Sequence, residues 1–476
     1  MAQAFLATHG IDLDAELNRL QLGKPEGTSN KPLHITNVTL PGNTHTSNIT
    51  IDGNKITSIK PHDATRQEPP PNTQTLHSPS SALLAPSLCH PHIHLDKPYL
   101  LSHPRFASSQ TLKEGTFAEA MSLTSSAKKN FTPRDLLERG QRLLEESIEA
   151  GVTHARAFVE VDAVVGTKCL DAGLELKQRV TSACRVQICA FAQVPIFSGS
   201  EGDEDGSAAR GLMAEAVERD GVEVIGSTPY VESDRQRMEE NVAWMVDLAI
   251  EKSKHLDFHL DYNLDPQSEP MVWFVIDLLK KRRWNEYNRG KTIVLGHCTR
   301  LTLFADTEWQ KLHEAISSLP ISFVGLPTSD MFMMRTPERT RGTLDVPQMI
   351  KEHGLNACIG INNIGNAFTP QGSADPLSLA CSCVGVHSAG LQADAELLYE
   401  CVSTRARKAI GFGRKEGEFA GDAKNDLQIQ KGDDANLLLF ASEESHWRTR
   451  RSASEAVYLY DHCKGRQAVF EGSVVS

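Results

Sequence analysis

Two histidines, His92 and His94, are separated by one residue just after an apolar run that spans residues 82–88. If this run is part of a β-strand, residues two apart point to the same side, so both imidazoles converge at the strand's carboxyl end. A neutral imidazole is a good ligand for zinc or iron. His90 shares the same parity. Because such a pair also occurs by chance in ordinary loops, the prediction of a metal site depends on the residues downstream.

Two further histidines, His259 and His297, stand at the ends of later strand-like segments. Histidine accounts for 18 of the 476 residues, so few are expected at strand ends by chance. A single histidine at such a place is more often a core or surface residue. We interpret His92, His94, His259 and His297 together as the centre of a metal site.

Strand-like and helical patterns alternate through the middle of the chain, which is typical of a TIM-type (β/α)8 barrel. Besides the strand that ends at His94, seven apolar runs supply the eight strands such a barrel needs, at residues 153–159, 186–192, 222–225, 256–260, 292–295, 321–324 and 357–361. TIM barrels carry their chemistry at the carboxyl ends of the strands. Residues at these ends are therefore the candidates for function.

Helical patterns fall between the strands. The clearest begins after Thr132, a helix-capping residue type, with Pro133 at the first helical position and Gly151 beyond its end. Others are expected at residues 235–254, 271–281, 346–353 and 393–410. Residues 98–130 show no clear pattern, and we interpret them as an irregular lid or substrate loop.

Short β segments flank the barrel at both chain ends, at residues 33–40 and 49–59 and again at 436–440, 456–460 and 467–470. Isolated short strands cannot bury a core alone, so the two ends are expected to form one small β-sandwich. This divides the chain into residues 1–81 (an N-terminal segment and the first part of the sandwich), 82–412 (the barrel) and 413–476 (a loop and the rest of the sandwich). A short helix is expected near residues 13–22, and a polar loop at 413–431.

The composition is that of an ordinary globular enzyme acting on small molecules. The net charge of −12 disfavours nucleic acid and acidic membranes as partners, since both need a basic surface. The ten cysteines include no CxxC pair, the N-terminus lacks the basic and apolar regions of a signal peptide, and no run of 18 apolar residues occurs. We therefore expect a cytoplasmic protein with free thiols. A homo-oligomer is possible, although no interface pattern indicates one.

Four motifs together resemble the amidohydrolase superfamily: Pro-His-Ile-His-Leu-Asp at 91–96, His-Leu-Asp at 259–261, Gly-His-Cys-Thr-Arg-Leu at 296–301 and the segment after strand eight. The resemblance covers about residues 33–472. The runs at 151–156 and 191–193 are closest to the branch of cytosine deaminases and triazine-ring amidohydrolases. Tyr230 stands where some members carry a modified lysine that bridges two metals, so the resemblance implies one metal ion.

The resemblance also implies roles for individual residues. His92, His94 and His259 would ligate the metal, expected to be zinc, with iron as the alternative. His297 would hydrogen-bond the attacking water or the developing oxyanion, and Gln193 would contact the amide edge of the substrate. Lys97 and Phe158 would line the pocket. The implied reaction is hydrolysis or deamination at a C–N bond of a small cyclic amide or amidine.

Two positions depart from the family. Asn362 replaces the strand-eight aspartate that ligates metal and accepts a proton, and Tyr262 replaces the glutamate that serves deaminases as acid and base. An amide oxygen can coordinate a metal, but it cannot take a proton, and loss of a general base typically costs ~10²–10⁴-fold in rate. Tyr262, or Asp330 near the end of strand seven, is a candidate replacement. The alternatives are a catalytically impaired or repurposed relative, natural or engineered, and a non-catalytic binding protein.

Overall fold

The computed structural model describes residues 31–63, 65, 72–199, 203–413, 426–441, 446–460 and 465–475. The helix expected near residues 13–22 and most of the expected polar loop, residues 414–425, lie outside this part of the chain.

The described residues form sixteen strands: β1 (Leu33–Thr39), β2 (Thr46–Asp52), β3 (Lys55–Pro61), β4 (Gln74–His77), β5 (Leu84–Pro86), β6 (Leu88–His94), β7 (Val152–Glu160), β8 (Arg185–Ala192), β9 (Val222–Ser227), β10 (His255–Leu260), β11 (Ile293–His297), β12 (Ile321–Gly325), β13 (Ala357–Ile359), β14 (Leu437–Phe440), β15 (Arg466–Phe470) and β16 (Ser473–Val474).

The α-helices of the described residues are α1 (Phe117–Lys128), α2 (Pro133–Glu149), α3 (Lys168–Arg179), α4 (Ser207–Ala216), α5 (Arg235–Glu251), α6 (Met271–Lys281), α7 (Trp284–Tyr287), α8 (Asp306–Ile316), α9 (Pro327–Met333), α10 (Val346–Lys351), α11 (Pro376–Val386), α12 (Gln392–Cys401), α13 (Thr404–Ala409) and α14 (Ala453–Tyr458). None of them is long and apolar enough to cross a membrane.

Strands β6 to β13 lie side by side in chain order and are all parallel. The first and last strands meet at a bridge between Ile93 and Asn362. The Asn362 N–H donates to the His92 carbonyl at 3.1 Å, and the His94 N–H donates to the Asn362 carbonyl at 2.9 Å. These bonds close the ring, which confirms the predicted eight-stranded TIM-type barrel.

The two chain ends meet in a sandwich of two four-stranded sheets, in the orders β3-β2-β1-β4 and β16-β15-β14-β5. Ile35 and Ile49 from the first sheet and Leu437, Leu439 and Val469 from the second share one buried apolar cluster. The predicted sandwich is therefore confirmed. The sandwich also contains β4, which was not predicted. The apolar run before His92, predicted as one barrel strand, instead forms β5 of the sandwich and the start of β6 of the barrel.

Three local predictions are wrong. Residues 456–460 were expected as a strand but lie mainly in α14, where the Ser452 side chain accepts from the Glu455 N–H at 3.1 Å and caps the helix. The helix expected at 393–410 is broken at Ser403, whose hydroxyl donates to the Ser87 carbonyl at 2.6 Å. The stretch 98–130 contains α1, which Thr116 caps by accepting from the Glu119 N–H at 3.2 Å. In two of these cases a capping side chain starts a helix, and in the third the Ser403 hydroxyl bonds to the Ser87 carbonyl.

Candidate active site

Three buried histidines converge at the carboxyl ends of the barrel strands. His92 and His94 lie on β6 and His259 lies on β10, and one nitrogen from each falls within 4.8 Å of the others. Gly296 on β11 makes room for His92, since a Cβ added there would lie 3.2 Å from the His92 ring. The predicted convergence thus brings together histidines from the first and the fifth strand of the eight-stranded barrel.

The chemistry of this donor set fits one divalent metal ion. Both ring nitrogens of His92, Nδ1 of His94 and Nε2 of His259 are buried without a hydrogen-bond partner. Burial, followed by the charge of neighbouring histidines and Lys97, lowers the pKa of all three rings well below the usual histidine value. The rings are therefore neutral, the form that binds metal. Unpartnered buried nitrogens are costly in the absence of a ligand.

Asn362 adds a fourth candidate donor beside the three histidines, and this donor is an oxygen. Its side-chain N–H donates to the Ser329 hydroxyl at 2.8 Å, which leaves Oδ1 as the remaining acceptor, buried and without a partner. The residue adopts a left-handed backbone with φ of 67°, a conformation that asparagine and aspartate tolerate better than other non-glycine residues. The geometry fits coordination through the amide oxygen, with no carboxylate at this position.

His297 is oriented by Asp330. The two are joined by a hydrogen bond of 2.7 Å between His297 Nδ1 and one carboxylate oxygen. The other oxygen accepts from the Leu326 N–H at 3.2 Å and the Thr343 hydroxyl at 2.9 Å. Because the carboxylate accepts, Nδ1 carries the proton and Nε2 is left as an acceptor. Asp330, which we had expected to contact substrate or serve as the base, is fully buried behind His297 and does not line the cavity.

Tyr262 packs against His297, with ring centroids 4.0 Å apart and ring planes inclined by 37°. It belongs to a group of four aromatic side chains over the histidines, which we call the aromatic cover: Phe117, Tyr230, Tyr262 and Phe368. Burial, then the nearby Asp330 charge, raises the pKa of Tyr262 well above the usual tyrosine value. Tyr262 therefore stays protonated at neutral pH and cannot replace the missing glutamate as a base.

Lys97 and Gln193 form a polar contact on the opposite wall. The Lys97 ammonium donates to Gln193 Oε1 at 3.2 Å and to Glu160 Oε1 at 2.5 Å. Glu160 also accepts from Lys128, which in turn donates to Asp162. Burial alone raises the pKa of Glu160, but the charges of Lys128 and Lys97 bring it down to about 2. Glu160 is therefore ionised and fixes the position of Lys97.

These groups border an open cavity with about 310 Å³ of empty space, its solvent-filled mouth included. Its wall consists of His94, Lys97, Phe117, Gln193, Tyr230, His259, Tyr262, His297, Ser329, Asn362, Asn363 and Phe368. The structure thus brings together most of the residues chosen from the sequence. Phe158 differs, since it lies beneath the histidines, 4.1 Å from the His92 ring, and not on the wall. His90 also lies apart, bonded to Ser147 at 3.0 Å.

Sequence reasoning gave no role to Phe117, Ser329, Phe368, Glu160 or Lys128. Phe117 and Lys128 fall in the stretch interpreted as irregular, and they lie at the two ends of α1. Phe368 and Ser329 follow strands eight and seven, so strand-end position was the available signal for both.

Comparison with known proteins places these features in context. No protein-family model matches the chain. Over 368 residues, 77% of this chain and 81% of the relative, it is 23% identical to N-isopropylammelide isopropyl amidohydrolase of Pseudomonas sp. (strain ADP).

Two solved structures share the fold across nearly the whole chain. A 5-methylcytosine deaminase from Klebsiella pneumoniae liganded with 5-fluorocytosine superposes with a TM-score of 0.76 at 21% identity, covering 93% of this chain and 97% of that one. N-isopropylammelide isopropylaminohydrolase from Burkholderia multivorans ATCC 17616 gives 0.71 at 21% identity, covering 93% and 98%. These solved structures show that the chain shares their fold, and the strand-end motifs named above resemble those of the amidohydrolase superfamily.

Proposed function

We propose that the protein is a mononuclear metal-dependent hydrolase that cleaves a C–N bond of a small cyclic amide or amidine, with zinc as the metal and iron as the alternative. The observation that carries this proposal is the set of three neutral, buried histidines whose unpartnered nitrogens converge beside the oriented His297. Relatives that hydrolyse N-isopropylammelide or deaminate 5-methylcytosine support the reaction class.

His92, His94 and His259 would hold the metal, with Asn362 as a fourth, neutral donor. When bound, the ion supplies Lewis acidity and makes water a stronger acid. Nε2 of His297 accepts a proton from the attacking water and can pass it to the leaving nitrogen, while Asp330 holds the ring and stabilises its charged form. Lys97 and Gln193 bind one edge of the substrate ring, and the aromatic cover excludes bulk water.

A second candidate is a catalytically impaired or repurposed relative. It is favoured by Asn362, which cannot accept a proton, and by Tyr262, which stays protonated. Both candidates keep the metal site, so metal content alone does not separate them, whereas turnover does.

The test has two parts. Elemental analysis of the purified protein should give about one zinc or iron per chain, and His92→Ala should lose it. Ammonia or amine release should then be followed on a panel of cyclic amides and amidines, with the chelated and zinc-restored protein as controls. Metal-dependent turnover supports the hydrolase. A loaded but inactive wild type, with activity gained only in Asn362→Asp, supports the impaired relative. No metal in the wild type contradicts both.

A further inference from the structure

The charged and amide groups on the cavity wall restrict the substrate further. Among the described residues that line the cavity, none is a carboxylate, and Lys97 is the one lysine or arginine. Two buried carboxylates that contact wall residues are already bonded: Asp330 to His297, Leu326 and Thr343, and Glu160 to Lys97 and Lys128. The negative charges that the family pattern places at 262 and 362 are absent here. Substrate therefore meets a wall without an anionic acceptor.

Hydrogen-bond geometry fixes which end of each amide faces the cavity. An ammonium group can only donate, so Gln193 must turn its oxygen to Lys97, as the 3.2 Å contact shows. The amide nitrogen of Gln193, which only donates, is then directed away from Lys97. Lys97 itself has three N–H groups, of which Glu160 and Gln193 accept two.

The same argument applies to Asn363 on the neighbouring wall. The oxygen of Asn366 accepts from the backbone N–H groups of Phe368 and Thr369, both at 3.0 Å, so its amino group must face the other way. That amino group donates to the Lys97 carbonyl at 3.1 Å and to Asn363 Oδ1 at 2.8 Å. Asn363 therefore turns its own nitrogen away from Asn366, and as a wall residue it offers a donor.

Lys97, Gln193 and Asn363 thus form a wall of donors, which we call the donor wall. The aromatic cover beside the donor wall does not form a cation-binding cage. The Lys97 ammonium already lies over the ring of Phe368 at 5.6 Å, and the ring of Tyr262 packs against His297. A cation would also meet the N–H groups of Lys97, whose carboxylate partner Glu160 lies off the cavity wall.

We propose that the cavity selects a small planar ring that carries one negative charge, a carboxylate or a deprotonated ring imide, with its anionic edge against the donor wall. The proposal rests on the proposed function for the location of the site and names the class of substrate. An anionic edge accepts hydrogen bonds from all three groups, whereas a protonated amidine edge would place donor against donor.

The test uses three probes of nearly equal size and shape: benzoate, benzamide and benzamidinium. Their binding is measured by calorimetry on the zinc-loaded and on the metal-free protein. We expect benzoate to bind at least tenfold more tightly than benzamide, with benzamidinium weakest, and the order to persist without metal. Gln193→Glu and Asn363→Asp each replace a donor by an acceptor of the same size. Each should lower the affinity for benzoate at least tenfold and raise the affinity for benzamidinium.

Gln178→Glu, an exposed position on α3, adds the same charge far from the wall and serves as the control. Equal or tighter binding of benzamide or benzamidinium in the wild type overturns the proposal. A preference for benzoate that requires zinc and ignores both wall variants also overturns it, because the metal alone then explains the selection. Anion selectivity in a protein without turnover retains this inference and contradicts the proposed function, whereas turnover without selectivity does the reverse.

Discussion

Asn362 and His94 are joined through their backbones, with the His94 N–H donating to the Asn362 carbonyl at 2.9 Å. The same bond closes the barrel and holds two candidate metal donors side by side. Because the closure uses backbone atoms alone, the side chain at position 362 can change without opening the barrel.

Asn362→Asp should therefore raise activity rather than impair folding. Aspartate tolerates the left-handed backbone at this position, and its carboxylate can accept from the Ser329 hydroxyl where the amide now donates. Adding a proton acceptor should increase kcat/KM by about 10²-fold or more. Steady-state kinetics measures this, with Gln178→Glu as the control for charge. An unchanged rate with metal bound would show that His297 already supplies all the proton transfer that the reaction needs.

Asp330→Asn should reduce kcat and leave KM and metal content nearly unchanged. The Leu326 N–H and the Thr343 hydroxyl both donate to one side of the carboxylate, so the asparagine oxygen must face them. Its amino group then faces His297 Nδ1 and forces the proton onto Nε2. In that tautomer Nε2 can no longer accept a proton from the attacking water. We therefore expect a loss of about 10²–10⁴-fold in kcat. Wild-type kcat in Asp330→Asn would contradict this orientation of His297.

Glu160→Gln should destabilise the fold strongly near pH 7. The substitution leaves Lys97 and Lys128 buried without their shared carboxylate, at a cost of about 3–5 kcal/mol. The folded-state pKa of about 2 lies below the ordinary value of 4.5, so this stabilisation is present above pH 4.5 and is lost as the pH falls toward 2.

Urea unfolding at several pH values checks this prediction. The difference between wild type and Glu160→Gln should shrink between pH 4.5 and 3. Glu175→Gln, which removes an exposed pair with Arg179, is the matched control and should cost about 1 kcal/mol or less. A constant difference across this range would mean that Glu160 acts through packing rather than charge.

Gly296→Ala should weaken metal binding in a folded protein. The added Cβ would lie 3.2 Å from Cε1 and 3.3 Å from Nδ1 of His92, so the ring must shift by a few tenths of an ångström. Displacing a ligand in this way is expected to cost about 10–100-fold in metal affinity. Competition with a zinc chelator measures it, and Gly211→Ala, where a Cβ meets nothing within 4 Å, is the control. Equal zinc affinity in Gly296→Ala and Gly211→Ala would show that His92 is not a ligand.

Long-range regularities in the sequence predicted the barrel well. Buried parallel strands read as continuous apolar runs, and the strand-end rule placed His259 and His297 near His92 although they are distant in the sequence. Local capping was less visible: the Ser452 and Glu455 pair that starts α14 lies before residues that also resemble a strand. The orientation of Asn363 could not be predicted, because it depends on Asn366 and on two backbone N–H groups beyond it.

Helix α1 connects the aromatic cover with the buried charges around Glu160. Lys128, at its last residue, is buried against Glu160 and Asp162, whereas Phe117, at its first, contacts the rings of the aromatic cover. Replacing Phe117 by a smaller residue gives up ring contacts but leaves the buried charges paired. A bulkier substrate is therefore best accommodated at the Phe117 end. On the proposed function, Phe117 borders the substrate at one end of the helix and Lys128 stabilises the fold at the other, so the two can change separately.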